Sequence, residues 1–423
     1  MRAGVVVLGG LFVSVGAIDN GKGLTPPMGW RSWNLFGADV NQELIQSQMD
    51  GMVSRKRTVN GVPTSILDLG YSDVGLDDAW QLCGDYGSEH FTYHDESGKP
   101  VVDTLLFPDF NAMTSYAHSY GLTAGWYANN CICEDHCNSD ACYQQDVEAL
   151  ISYGFDSVKL DACGKELDLQ KWSDLIAATG KSILIENCHW GFSRPNETWC
   201  PFNYYRTSMD VRASYQSVLK NLMSTIPFAK KNLSTPGCWG YPDMLEVGCQ
   251  NGPGGEHDPG LSFVEARTHF GAWCIVSSPL ILSHDTMNDT VTDEIWPIIS
   301  NTEAISINQA YAGDSGSLFM TSRDTVELRS RDEEDSERTI VASWQQWSKK
   351  LSDSKAAVLI MNNADSVQEV TLVFKTIPTF EGKGMTEFSI RDIWEHTDLG
   401  TFDGSYSVSL ESHDSAFLVL SAV

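Results

Sequence analysis

The segment SVKLDAC, residues 157–163, sets Lys159 and Asp161 two apart in an apolar run that stops at Cys163. Side chains two apart on a strand point to the same face, so this run presents a cation and a carboxylate together. Other apolar runs end in similar chemistry. Asp77 and Asp78 lie in YSDVGLDDAW, Trp126 and Tyr127 in GLTAGWYAN, and Glu186 and His189 in SILIENCHW. Arg206 and Asp210 fall in NYYRTSMD, and Trp30 and Trp33 in MGWRSWN. Carboxylates and aromatic rings in one pocket suit a sugar. Rings pack on the apolar face of a pyranose, and carboxylates accept hydrogen bonds from its paired hydroxyls. Two carboxylates across a glycosidic bond cleave it, one as nucleophile or base and the other as proton donor. Taken singly, an aspartate that ends a strand is more often a helix cap. Their agreement at strand ends is what points to chemistry. No Ser-His-Asp order, phosphate loop or metal triad competes.

These side chains need elements that aim them at one rim. Eight short apolar runs recur between residue 26 and about 310: the six above, YPDMLEVG at 241 and SSPLILSHD at 277. Helix-length segments separate most of them, such as Leu167 to Thr179 and Phe263 to Ile275. Strands alternating with helices imply a parallel sheet, and eight units of this length match a (β/α)8 TIM barrel, whose catalytic groups sit at the C-terminal strand ends. A doubly wound open sheet is the alternative; the absence of a glycine-rich dinucleotide fingerprint weighs against it. After AGDSGS at 312–317 the pattern changes to period two: TVELRSR, RTIVASW, AAVLIMNN, QEVTLVF, YSVSLES and SAFLVLSAV. These are antiparallel strand signals. The expected organisation is therefore a signal peptide over 1–17, a catalytic barrel over 18–312 and a C-terminal antiparallel β-sandwich over 313–423.

The signal rests on Arg2, the apolar stretch from Gly4 to Val15 and the small-x-small site Val15-Gly16-Ala17. The stretch is too short to span a membrane. Eleven cysteines agree with an oxidising route. Candidate disulfides are Cys137 with Cys142, Cys188 with Cys200 and Cys238 with Cys249, which leaves Cys274 as a buried thiol. Zinc on CICEDHC is the reading set aside, because clustered cysteines on a secreted chain are usually disulfides. Glycosylation sequons at Asn196, Asn232 and Asn288 fit the same route. The expected location is the secretory pathway, ending outside the cell, in a vacuole or in a lysosome. The formal charge of −28, from 56 acids against 28 bases, repels phosphate and excludes nucleic acid as a natural partner.

With these motifs in order, the chain resembles the α-galactosidase (melibiase) family, glycoside hydrolase family 27. The resemblance runs through PPMGWRSWN at 26, LDDAW at 76, KLDAC at 159, RTSMD at 206, PDMLEVG at 242, HFGAWCIVSSPLILSHD at 269 and RDIWEHTDLGTF at 391. It implies a barrel followed by a β-sandwich, and hydrolysis of terminal α-galactosides with retention. It implies neither cofactor nor metal. The partner is an α-galactoside, with a homodimer as the one assembly considered and no membrane attachment. By position, Asp161 matches the family nucleophile and Asp210 its acid/base. Asp77 and Asp78 match the pair that holds the 4- and 6-hydroxyls. Tyr127, Lys159 and Arg206 match residues at the sugar or beside the carboxylates, and Trp33 matches a wall of the pocket. Cys163 matches half of a disulfide beside the site, with Cys131 or Cys133 as its partner.

Three departures from the family pattern stand out. After the fifth run the family has Cys-Glu-Trp, whose glutamate bonds the sugar 2-hydroxyl; here the run is Cys188-His189-Trp190, with Glu186 two residues earlier. His189 is therefore expected at carbon 2, with Trp190 beside it. Met209 precedes the acid/base. The family cysteine of LDDCW is Ala79 here, and Cys83 is expected to replace it. The alternatives on this scaffold are a β-L-arabinopyranosidase, disfavoured by an intact Asp77-Asp78 pair, and an α-N-acetylgalactosaminidase, disfavoured by bulky His189 and Trp190. An inactive sugar-binding protein is disfavoured by the intact carboxylates.

Overall fold

The structure is a computed structural model that describes residues 16–250, 259–329 and 338–423. Its first half is a ring of eight parallel strands: β1 Met28–Arg31, β2 Asp73–Gly75, β3 Thr123–Ala128, β4 Ser157–Asp161, β5 Leu184–Cys188, β6 Tyr204–Arg206, β7 Trp239–Tyr241 and β8 Leu280–Leu282. The pairing order is β8-β1-β2-β3-β4-β5-β6-β7. The gap between the end strands is bridged just past β7, where Leu245 donates its N–H to the Ile281 carbonyl at 2.8 Å. The strands are buried almost throughout, which is why they read as apolar runs rather than as alternating ones.

Helices follow seven of the eight strands. They begin at Gln42, Phe110, Asp140, Leu169, Tyr215, Phe263 and Asp289, each behind an Asn, Asp or Ser whose side chain accepts an N–H of the first turn. Ser262 and Glu265 complete a reciprocal capping box. Between β5 and β6 there is no helix, only the coil of residues 189–203, which carries part of the pocket wall. The seventh run is placed differently from expectation. The strand is Trp239–Tyr241, and PDMLEVG is a loop. Pro242 has no N–H to give a ladder, and Asp243 turns to a φ of 93°.

The C-terminal region is a six-stranded antiparallel sheet in the order 317–321, 344–352, 355–362, 415–422, 387–392, 397–403, with two further strand pairs, 368–373 with 405–410 and 325–329 with 338–342. The strands 387–392 and 397–403 lie in RDIWEHTDLGTF and its flank, where the period-two reading found none. The central strand Lys355–Asn362 is buried on both faces. Ala356, Val358 and Ile360 pack with Val370, Leu372 and Leu410 inside the sandwich. Ala357, Leu359 and Met361 join the core cluster that continues into the barrel. The last barrel helix ends at Gln309 and the first sandwich strand starts at Ser317.

The signal-peptide reading falls outside the described residues except at Gly16 and Ala17. There Gly16 pairs with Glu197 and Cys200, and Ala17 bridges to Cys200. All three sequon asparagines are exposed.

Spacing between β1 and β2 sets where Arg31 and Asp77 stand. Gly29 is paired with Asp73, and a Cβ added there would strike the Asp73 main-chain carbonyl and lie 2.9 Å from its Cβ. Backbone in a closed ring has nowhere to move, so Gly29→Ala is expected to lower unfolding free energy by about 1–3 kcal/mol. The midpoint of a urea titration, with kcat followed in parallel, checks this.

Candidate active site

The ends of β2, β3, β4, β6 and the loop after β7 face one cavity. It is lined by Trp33, Asn34, Asp77, Tyr127, Cys131, Lys159, Asp161, Trp190, Arg206, Asp210, Asp243 and Met244. Eight of the ten catalytic and sugar-binding residues expected from sequence are in this lining, Trp33, Asp77, Tyr127, Lys159, Asp161, Trp190, Arg206 and Asp210, together with the expected Cys131. Asp78 and His189 are not.

Asp161 is 5% exposed. Its Oδ2 accepts the Tyr127 hydroxyl at 2.7 Å, and its Oδ1 accepts the Ala162 N–H at 2.7 Å. Burial pushes its pKa up to about 6, with the Lys159 charge and the Tyr127 hydrogen bond pulling the other way. Lys159 does not touch the nucleophile candidate. Its Nζ donates to Asp77 Oδ2 at 2.8 Å and lies 5.2 Å from the centre of the Tyr127 ring. Burial disfavours its charge, but Asp77 and the other anions around it more than offset this, so its pKa is raised.

Asp78 sits behind Asp77 and takes backbone donors at both oxygens. Ala79 N–H reaches Oδ1 at 2.8 Å, and the Cys131 and Ile132 N–H groups reach Oδ2 at 3.0 Å each. It therefore shapes the loop after β3. That loop is tied to the end of β4 by the disulfide Cys131–Cys163, and to Cys83 by Cys133. The two sulfurs of the first bond and an oxygen of Asp161 lie within 4.8 Å of one another. Cys137 pairs with Cys142, as expected. The pairings expected for Cys188 and for Cys238 with Cys249 are corrected: Cys200 joins Cys238, and Cys188, Cys249 and Cys274 are buried thiols. Cys200 and Cys238 stand just before β6 and β7. Those strands are parallel neighbours, so both cysteines lie at the same end of the ring.

Arg206 is shared. Its guanidinium meets Asp210 Oδ1 at 2.9 Å, Asp243 Oδ2 at 3.0 Å and the Cys188 sulfur at 3.5 Å. The Asp210 side chain is 60% exposed, whereas that of Asp243 is buried. Burial raises the Asp243 carboxyl despite Arg206, while at Asp210 desolvation is opposed by Arg206, Lys159 and Arg212 together, and the net shift is downward. Asp243 and Met244 were not expected from sequence. Their signal was the PDMLEVG run, read as strand rather than as the loop that leaves one.

His189 is buried beside the cavity but is not part of its lining. Its Nδ1 bonds Ser193 Oγ at 2.7 Å, its N–H reaches Asn187 Oδ1, and burial lowers its pKa to about 4. The Ser193 bond uses Nδ1 and leaves Nε2 without a partner among the described residues. Glu186 is held below the cavity by Arg31 at 3.0 Å and by the Tyr204 hydroxyl at 2.8 Å.

The Tyr127 bond favours the ionised form of Asp161. Removing it in Tyr127→Phe should raise that pKa further, by about 1 unit for one hydrogen bond. The ionised fraction then falls most on the acid side, so kcat/KM should drop more at pH 5 than at pH 7.5. A uniform loss across a pH profile would show that the phenol acts by shape alone.

The family described as Alpha galactosidase A matches residues 25–310, and the Alpha galactosidase C-terminal beta sandwich domain matches residues 341–420. An alpha-galactosidase of Cyamopsis tetragonoloba is 30% identical over 416 residues, covering 95% of this chain and 87% of the relative. One of Coffea arabica is 29% identical, covering 95% of each. Among solved structures, alpha-galactosidase I of Mortierella vinacea superposes with a TM-score of 0.75 at 24% identity, over 96% of this chain and all of that one. A β-L-arabinopyranosidase of Geobacillus stearothermophilus does so at 0.71 and 18%, over 96% and 98%. At those identities the two structures speak for the fold alone. The sequence matches carry the assignment: this chain belongs to the alpha-galactosidase A family of glycoside hydrolases.

Proposed function

We propose that the protein is an exo-acting α-galactosidase that releases terminal α-D-galactose by double displacement. The observation that carries this reading is one cavity lined by two carboxylates in unlike settings, the buried Asp161 and the rim residue Asp210, with Asp77 paired to Lys159 at its floor. Asp161 attacks the anomeric carbon. Asp210 protonates the leaving oxygen and then activates water. Asp77 receives galactose hydroxyls, and Trp33 and Trp190 supply apolar walls. The family matches support an α-galactoside substrate over the alternatives. An intact Asp77-Asp78 pair supports galactose over arabinopyranose. Four disulfides among the described residues support passage through the secretory pathway, with a secreted, vacuolar or lysosomal destination and a barrel–sandwich boundary near residue 312 as parts of the reading. Hydrolysis of the p-nitrophenyl glycosides of α-galactose, β-L-arabinopyranose and α-N-acetylgalactosamine ranks the three activities. Failure on all of them would favour a binding protein.

Asp161→Asn should lose on the order of 10³-fold or more in kcat. A fluorinated galactoside should label a wild-type peptide that contains Asp161; label on another carboxylate sinks the nucleophile assignment.

Asp210→Ala should be selective. Protonation matters most for poor leaving groups, so natural galactosides should suffer far more than aryl galactosides with acidic phenols. Azide should restore part of the second step. Equal loss on both substrate types would remove Asp210 from the proton-donor role.

A further inference from the structure

Behind the loops that hold Asp161 lies a second cluster of ionisable groups that the proposed reaction does not use. His94 comes from the loop after β2, Asp135 and Asp146 from the loop and helix after β3, and Glu166 from the loop after β4. Their exposures are 1%, 3%, 0% and 1%. Asp135 is fully engaged. It accepts the N–H groups of Thr92, Tyr93, His94, His136 and Cys137, and it meets His94 Nδ1 at 2.7 Å. That contact orients the imidazole and leaves Nε2 pointing at Asp146, 3.0 Å from its Oδ1. Glu166 completes the group. Both of its oxygens, and Oδ2 of Asp146, are buried with no hydrogen-bond partner among the described residues. One ligating atom from each of His94, Asp146 and Glu166 lies within 4.8 Å of the others.

His94 Nε2 serves one oxygen of Asp146, but Glu166 and the other Asp146 oxygen meet out of water with no partner among the described residues, and such a pair needs a further counter-charge or a proton. One imidazole nitrogen and two carboxylates within ligand spacing, with a third carboxylate behind the imidazole, are the components of a carboxylate–histidine–metal site. We propose that His94 Nε2, Asp146 and Glu166 bind one divalent cation of the zinc class, with Asp135 as the carboxylate that fixes the histidine. An all-oxygen calcium cage is disfavoured by the imidazole. On binding, the metal takes the Nε2 lone pair, and the proton held there leaves to solvent. The cation joins the loop after β2, the helix after β3 and the loop after β4. Its effect reaches the nucleophile candidate through Asn129, whose Oδ1 accepts the Glu166 N–H at 2.9 Å and whose Nδ2 donates to the Asp161 carbonyl at 2.5 Å. The site is structural and takes no part in the chemistry proposed above, so the inference stands or falls separately from that reading.

The test uses the full chain, dialysed against EDTA and returned to zinc chloride. Expected are one zinc per chain by mass spectrometry after gel filtration, and a thermal midpoint that rises with zinc. In Glu166→Gln the zinc affinity should fall by about 100-fold or more, since loss even of a supporting partner costs 10–100-fold. X-ray absorption on zinc-loaded wild type, which needs no variant to fold, should show one imidazole with oxygen ligands at ~2.0–2.2 Å. Three results overturn the proposal. The first is no stoichiometric zinc. The second is zinc retained by Glu166→Gln or bound through sulfur or several imidazoles. The third is a Glu166→Gln protein as stable as EDTA-treated wild type with no zinc effect on either, which means that the two carboxyls share a proton.

Discussion

Lys159 and Asp77, 2.8 Å apart under the floor of the cavity, state the condition that the whole barrel mouth must meet. Charges placed at the C-terminal ends of buried strands have lost their water and must be neutralised by one another. Arg31 answers Glu186, Lys159 answers Asp77, and Arg206 answers Asp210 and Asp243. Three of these contacts also tie different parts of the ring together, Arg31 to Glu186, Lys159 to Asp77 and Arg206 to Asp243, whereas Arg206 to Asp210 stays within one strand and its own loop. Removing one partner would strand a buried charge, so these residues are structural and functional at once.

Neutralisation is incomplete, and the shortfall has a sign. Arg31, Lys159, Arg206 and Arg212 face Asp77, Asp78, Asp161, Glu186, Asp210 and Asp243, four cations against six carboxyls. The excess is negative, and burial in addition raises the Asp78, Asp161 and Asp243 carboxyls against the pull of their hydrogen bonds and neighbouring cations. A glycosyl centre gains positive charge as its bond to the leaving oxygen breaks. A pre-formed negative excess in a dry cavity stabilises that charge without reorganising at the moment of reaction. The same excess disfavours any anion in the pocket.

Much of this was legible in the sequence, and the parts that were not have physical reasons. A strand buried on both faces leaves a dense apolar run, so β4 and the polar residues at its end were readable from KLDAC. The β7 run misled because Met244, Leu245 and Val247 are buried in a loop as fully as strand residues are; burial alone does not distinguish the two. With the strand end misplaced, Asp243 was taken as interior to a strand and not as a rim group. Disulfides were paired by closeness in sequence. In a parallel sheet, closeness in space goes by position along neighbouring strands, which is what joins Cys200 to Cys238 across 38 residues. His189 was placed by its position in a motif, and the structure adds that its Nδ1 is held by Ser193 while Nε2 is left without a partner among the described residues. A backbone position can be inherited from a pattern while the rotamer is set by local partners.

The sharing of Arg206 bears on how the two candidate carboxylates divide their protons. A retaining reaction needs Asp161 ionised and Asp210 protonated. Without a ligand, Arg206 favours the ionised form of Asp210, and burial favours the protonated form of Asp161. The form ready to react is then the less populated arrangement of one proton over two sites. Such a pair still shows a bell-shaped pH profile, whose two limbs belong to the pair rather than to either residue. Asp243 offers a way to shift the balance. If a sugar hydroxyl or the leaving oxygen draws Asp210 off the guanidinium, Arg206 keeps Asp243 as its partner and is not left uncompensated. Asp210 can then take up a proton at little electrostatic cost, because the buried carboxylate beside it has kept the cation in place.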